Sequence, residues 1–240
     1  MKQSLFTVIL LVVAFGIALA VYSLLMPEFI KRGGPLVVLL ITVTLMLITY
    51  IVERILTLRK ARGKAPIPVF YHSFIKAVNE GKLEDAVAIC DNQRGSAAAV
   101  LKSGLEAYLR GIKMKLTGDK RLAETQRSIE EARLLEIPFM ERNLFALSTI
   151  ASISTMIGLL GTVIGMIRAF AAMAHQGAPD AVQLATGISE ALINTAGGLF
   201  AAILGIVSYN IFVNLVDSFN YSVDEGAFMF MEIIKEKEAE

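Results

Sequence analysis

The sequence predicts an all-α integral membrane protein with four membrane-crossing helices and a helical polar region between the second and the third. Three observations support this fold class. The 240 residues are 55% hydrophobic and only 19% charged, the mean hydropathy is +0.61, and four long stretches contain no charged residue. Water-soluble domains are normally less apolar and more highly charged, so we expect these stretches to lie in a lipid bilayer.

The first two uncharged stretches define an N-terminal region at residues 1–52. Residues 5–26 end before Pro27, and residues 36–52 follow a Gly-Gly-Pro turn. Both can cross a hydrocarbon core of about 30 Å, the second only just. Residues 5–26 could instead be a signal peptide, since Lys2 precedes them and Ala18-Leu19-Ala20 resembles a small-residue cleavage site, or a helix lying at the interface. We expect a retained membrane helix.

The polar region at residues 53–142 carries 17 of the 23 Lys and Arg residues. Because positive residues concentrate on the cytoplasmic side, this region and the tail at 217–240 are predicted to be cytoplasmic. The link that contains His175 is then outside. Lys31 and Arg32 also fall outside, against the rule. Apolar residues at helical spacing, interrupted by glycines, predict helices at 70–79, 83–90, 96–109 and 122–135.

The last two uncharged stretches lie within residues 143–216 and predict two further spans. Only Pro138 interrupts the helical pattern that precedes the first of them. We therefore expect one helix from near Leu122 to about Ala174. Roughly 50 residues make a helix of about 75 Å, which is long enough to protrude into the cytoplasm.

Small residues recur every three or four positions on both of these spans. Faces of this kind allow membrane helices to approach closely, so we predict a helix-packing role. The glycines of these faces are Gly158, Gly161 and Gly165 on one helix, and Gly187, Gly198 and Gly205 on the other.

Polar residues accompany the glycines. Glu190 is the only acid between Asp180 and Asp217, and a carboxylate inside a bilayer costs about 2.5–3.5 kcal/mol on insertion scales. It is therefore expected to handle protons or cations, or else to reach into the headgroups. For the threonines, bonding to their own helix is the alternative. The predicted polar pathway comprises Thr162, Glu190, Asn194 and Thr195.

Other functional classes find little support. Arg168 is expected to reach the outer surface, with Asp180 as a possible partner; the alternative is a role in gating. A single cysteine, Cys90, and two histidines, His72 and His175, offer no metal-site spacing, so no metal or cofactor is predicted. Motifs of nucleotide hydrolysis and hydrolase catalysis are missing from the sequence, which indicates that the chain is not an enzyme. A net charge of +1 gives no reason to expect nucleic acid as a partner.

Two longer motifs resemble a known family. GLLGTVIGMI at residues 158–167 with Phe170, and GISEALINTA at residues 187–196 with Tyr209-Asn210, are similar to signatures of the MotA/TolQ/ExbB proton-channel family, nearest to its ExbB and TolQ branch. The resemblance implies a homopentameric ring lined by the third and fourth spans. It also implies two single-span ExbD- or TolR-like subunits inside the ring, with a membrane aspartate that carries the proton.

The resemblance further implies how such a chain works. Thr162, Thr195 and Glu190 would line the surroundings of that aspartate, and the partner would pass force to a TonB- or TolA-like protein. The expected location is the bacterial inner membrane. The family usually has Pro where Thr155 stands, and Pro again near Leu204 in the last helix.

Several alternatives remain open at the level of sequence. They are a TolQ-like role in envelope integrity, a MotA-like flagellar stator, a secondary transporter that binds solute at Glu190 and Asn194, and a passive membrane scaffold.

Overall fold

A computed structural model describes residues 2–173 and 180–239, and this part of the chain is helical with no β-strand. The all-α prediction is confirmed. The helices are α1 (Lys2–Leu24), α2 (Glu28–Lys31), α3 (Leu36–Arg62), α4 (Ile67–Asn79), α5 (Leu83–Gln93), α6 (Ser96–Lys113), α7 (Gly118–Glu141), α8 (Leu144–Met173) and α9 (Ala181–Ala239).

Within the described residues, three helical stretches are long and apolar enough to cross a membrane, and they contain α3, α8 and α9. They match three of the four predicted crossings. The apolar stretch of α1 at Val8–Leu24 is shorter. Its side chains, such as Val12 and Leu24, are mostly exposed, as expected of a helix that faces lipid. A fourth crossing by α1 remains a prediction.

The expectation of one uninterrupted helix from Leu122 to Ala174 is wrong. Helix α7 ends at Glu141, because Arg142 has a ψ of 138° and Asn143 adopts the left-handed region with a φ of 64°. Asparagine tolerates this conformation better than most residues, because its short side chain can hydrogen-bond locally. Pro138, the residue that the sequence pattern singled out, lies inside α7 without ending it.

Helix α9 is longer than expected, since one helix of 59 residues includes both the fourth span and the C-terminal tail. Its first turn is capped by Asp180, whose Oδ1 accepts hydrogen bonds from the backbone N–H groups of Val182 (3.0 Å) and Gln183 (3.1 Å). Such a cap satisfies donors that the first turn of a helix leaves free.

The chain divides into two compact units. The first, here called the span unit, contains Met1–Glu53 and Asn143–Ile211; the second, the polar unit, contains Arg54–Arg142 and Phe212–Glu240. In the polar unit, Phe74 and Phe230 pack edge to face with ring centres 5.5 Å apart. Both side chains are fully buried.

The end of α9 is held in the polar unit by Glu238. The Tyr108 hydroxyl donates to Glu238 Oε1 at 2.6 Å, and Arg121 forms an ion pair with the same carboxylate. Burial alone would raise the pKa of Glu238, but the hydrogen bonds from Tyr108 and Arg121 together lower it below its usual value. A depressed carboxyl pKa stabilises the fold above the pKa of the unfolded state, and this contribution is lost as the pH falls through the folded value.

Tyr108→Phe removes one of these hydrogen bonds. We expect the free energy of unfolding to fall by about 1–2 kcal/mol at pH 7. The loss should become smaller as the pH falls through the lowered pKa of Glu238, because a protonated carboxyl accepts a weaker hydrogen bond. Thermal unfolding of the parent and of the variant in detergent, measured over a series of decreasing pH values, shows this trend. A loss that is the same at every pH would contradict the assignment.

Candidate functional site

The close contact between α8 and α9 in the span unit contains all six glycines of the two predicted faces. Contacts pair residues in opposite order along the two helices, so the helices are antiparallel. A Cβ added at Gly165 would lie 2.7 Å from the carbonyl oxygen of Gly187, and one at Gly198 would lie 2.7 Å from that of Ser154. Gly205 is similarly close to Ala151. At Gly165 and Gly198 backbone meets backbone, which only a residue without a side chain permits.

Glu190 lies at this contact and forms an ion pair with Arg168 of α8. The Arg168 Nη1 group donates to both carboxylate oxygens at 2.5 Å. The Glu190 side chain is only 4% exposed, whereas that of Arg168 is 54% exposed. The predicted alternative that Glu190 reaches into the headgroups does not match this geometry, because the carboxylate turns into the chain.

Asn194 stands one turn further along α9 and is also buried. Its Nδ2 group donates to the carbonyl oxygen of Gly33 at 2.8 Å. Its Oδ1 atom accepts no hydrogen bond from the described residues. A Cβ added at Gly161 of α8 would collide with the Asn194 side chain, so this amide is packed tightly between α8 and the turn before α3.

That turn, Gly33-Gly34, completes the cluster. Gly34 has a φ of +73°, and a Cβ at this position would collide with the Oε1 atom of Glu190. Two properties of glycine are used here, namely the left-handed backbone and the absence of a side chain. The turn therefore covers Glu190 and Asn194, and it also lies close to Arg168, whose Nη1 would be 3.6 Å from a Cβ at Gly34.

The two threonines of the predicted pathway bond to their own helices. Thr162 donates to the carbonyl oxygen of Leu159 at 2.6 Å, and Thr195 donates to that of Ala191 at 3.1 Å. Thr195 also lies 3.5 Å from the carbonyl oxygen of Gly158. The structure brings Glu190 and Asn194 into one cluster with Arg168, whereas the Thr162 hydroxyl bonds to its own helix. The role of the four residues in a proton pathway stays a prediction.

Arg168 is the residue of this cluster whose partner the sequence reasoning missed. Asp180, the partner considered, instead caps α9. The sequence does contain an indication of this ion pair, because Arg168 is the only base between residues 143 and 173 and Glu190 is the only acid between Asp180 and Asp217. Two isolated opposite charges on neighbouring membrane helices are expected to pair.

A cluster of this kind can hold a negative charge within a membrane-type helix pair, because the guanidinium compensates the carboxylate. In residues 2–173 and 180–239, no group of three His, Cys, Asp or Glu side chains is placed to hold a metal ion. His175 lies outside the described residues.

Comparison with known proteins identifies a family. The profile described as the MotA/TolQ/ExbB proton channel family matches residues 93–225, which is more than half of the chain. The matched segment includes α8 and the part of α9 that carries Glu190 and Asn194.

The individual relatives are named either TolQ or ExbB. The chain is 48% identical over 88 residues to the Tol-Pal system protein TolQ of Haemophilus influenzae, covering 36% of this chain and 38% of that protein. It is 39% identical over 89 residues to the biopolymer transport protein ExbB of Salmonella typhimurium, covering 37% and 36%. A putative ExbB-like protein of Synechocystis is 27% identical over 187 residues, covering 76% and 82%. The chain thus spans little more than a third of the length of the first two relatives.

Proposed function

Because the chain belongs to the MotA/TolQ/ExbB proton channel family, we propose that it is the channel and motor subunit of an ExbB–ExbD-type complex. In this proposal the complex converts proton motive force into mechanical work for TonB-dependent transport across the outer membrane. The family is a channel family rather than an enzyme family, so no catalytic residue is assigned.

The observation that supports this proposal most is the buried Glu190 carboxylate in a helix pair closed by glycines. A charged group in a membrane span is costly and is usually retained for ion or proton movement. The ion pair with Arg168 provides the compensation that such a group needs.

The assembly is proposed on the family pattern. Five copies form a ring, and α8 and α9 line its interior with Thr162, Glu190, Asn194 and Thr195 along the proton path. Residues 143–216 contain no acid besides Asp180 and Glu190. The titrating group of the relay is therefore assigned to a single-span partner, an ExbD- or TolR-like subunit present as a dimer inside the ring.

Exposed apolar side chains support a partner within the membrane. On α8 they include Leu159 and Val163, and on α9 Leu192 and Ile203. A smooth apolar surface allows a helix to turn against it, and a membrane potential of 100 mV supplies about 2.3 kcal/mol per charge moved. The partner then transmits force to a TonB-like protein.

The proposed location is the bacterial inner membrane with the polar unit and the C-terminus in the cytoplasm. The concentration of Lys and Arg in residues 53–142 supports this orientation. In it, α1 adds a fourth crossing.

A TolQ-like role in envelope integrity is the second candidate. It is favoured by the 48% identity to TolQ of Haemophilus influenzae. The match to the ExbB relative covers a segment of about the same length. The two roles share the same ring and differ in the force-transmitting protein.

The native mass of the purified complex tests the proposed assembly. The chain is expressed with and without a single-span, aspartate-bearing membrane protein from the same genome and is then purified in detergent. We expect a ring of five 26.1-kDa chains that retains two copies of the partner. A monomer or dimer that is indifferent to the partner would overturn the proposal and favour a transporter acting alone.

A further inference from the structure

The ion pair in the span unit is asymmetric, and the asymmetry decides which half can be reached. Glu190 is almost completely enclosed, while more than half of the Arg168 side chain is exposed. Only Nη1 of Arg168 donates to the carboxylate. A guanidinium has five N–H donors, so Arg168 retains donors that face away from Glu190.

We infer that Arg168 is a positioning residue for Glu190 and holds the carboxylate inside the α8–α9 contact. Glu190 becomes available to the proton path only when its ion pair with Arg168 opens. The inference rests on the proposed function, because it assigns a controlling residue to the same site. It adds to the proposed arrangement, in which Glu190 lies along the proton path, that access to the Glu190 carboxylate depends on Arg168.

The other groups around Glu190 do not hold its carboxylate in place as Arg168 does. The Asn194 amide nitrogen already donates to Gly33, and Gly34 offers only backbone against the carboxylate. Among the described residues, Arg168 is the cation in salt-bridge contact with Glu190. A buried carboxylate without a counter-charge takes up a proton or turns away.

The position of Arg168 suits a release mechanism. Its exposed side can be approached by another group without entering the α8–α9 contact, which the glycines keep closed. Any group that draws the guanidinium outward leaves the Glu190 carboxylate without its compensation, so the carboxylate must protonate or move. Control of Glu190 is thereby placed at the surface of the helix pair.

Carboxyl labelling of the full chain tests this inference without requiring transport. Dicyclohexylcarbodiimide partitions into membranes and modifies protonated carboxyl groups, and the adduct is detected as a mass shift of the peptide that contains residue 190. We expect slow labelling of the parent and labelling at least about tenfold faster in Arg168→Gln, because breaking a buried ion pair strongly destabilises the remaining charge. Arg168→Lys is expected to stay close to the parent, since it keeps the positive charge.

Two controls complete the experiment. Glu190→Gln must abolish the adduct, which assigns the label. Arg32→Gln removes another exposed cation of the span unit and is expected to leave the labelling rate unchanged. Equal labelling of the parent and of Arg168→Gln would overturn the inference.

Proton flux then separates a positioning role from simple structural support. We expect the double variant that combines Arg168→Gln with Glu190→Gln to keep the native mass of the complex but to lose its proton flux. Recovery of parental flux in this double variant would show that the pair is only structural and would overturn the inference. If the parent complex carries no flux, the proposed function fails, while the labelling result still decides the role of Arg168.

Discussion

Gly198→Ala is expected to destabilise the α8–α9 pair by about 1–3 kcal/mol relative to a neighbouring substitution. The added Cβ would lie 2.7 Å from the carbonyl oxygen of Ser154 and 2.8 Å from the Cα of Gly158. Both atoms belong to the backbone of α8, so the clash can be relieved only by separating the helices. Because the proposed ring depends on this pair, we expect a lower unfolding temperature in detergent and a loss of assembled complex.

Gly197→Ala is the matched control. An added Cβ there meets only the tip of the flexible Leu40 side chain, at 3.3 Å. Both substitutions bring the same gain in helix propensity, which is about 1 kcal/mol for Ala over Gly. The difference between the two unfolding temperatures therefore isolates the backbone clash. Equal temperatures would contradict the assignment of Gly198 to a close helix contact.

Thr162→Val is expected to lower the proton flux of the assembled complex by roughly tenfold, which corresponds to the loss of about one hydrogen bond. Valine has nearly the shape of threonine, and the hydroxyl that it removes is bonded only to the carbonyl oxygen of Leu159 among the described residues. Packing and assembly should therefore be preserved. The flux is measured with a pH-sensitive dye inside liposomes that contain the chain and its partner.

Thr149→Val provides the comparison on the same helix. Its hydroxyl likewise bonds to a preceding carbonyl oxygen, that of Phe145, at 2.8 Å, and it lies outside the predicted pathway. We expect it to leave the flux unchanged. If Thr162→Val and Thr149→Val conduct equally well, Thr162 has no role in proton movement.

Local patterns allowed much of the fold to be predicted. The glycines at 81, 95 and 111 and the helical spacing of apolar residues indicated the short helices of the polar unit. The observed α5 and α6 begin at the predicted residues, Leu83 and Ser96. The glycine faces were visible because their three- and four-residue spacing follows directly from helix geometry.

Other features could not be predicted in the same way. The end of α7 depends on the positive φ of Asn143, a conformation that asparagine tolerates but does not require. The pairing of Arg168 with Glu190 depends on how α8 and α9 align, and the Gly33-Gly34 turn reaches the same cluster from more than a hundred residues away. Spacing along one helix contains no information about such contacts.

The most direct test of the proposed channel is the proton flux of the unmodified chain in liposomes under an imposed membrane potential. We predict that the chain with its aspartate-bearing single-span partner carries a flux that neither protein carries alone, and that replacing the partner aspartate by asparagine abolishes it. A complex that assembles with its partner but remains impermeable to protons would contradict the account.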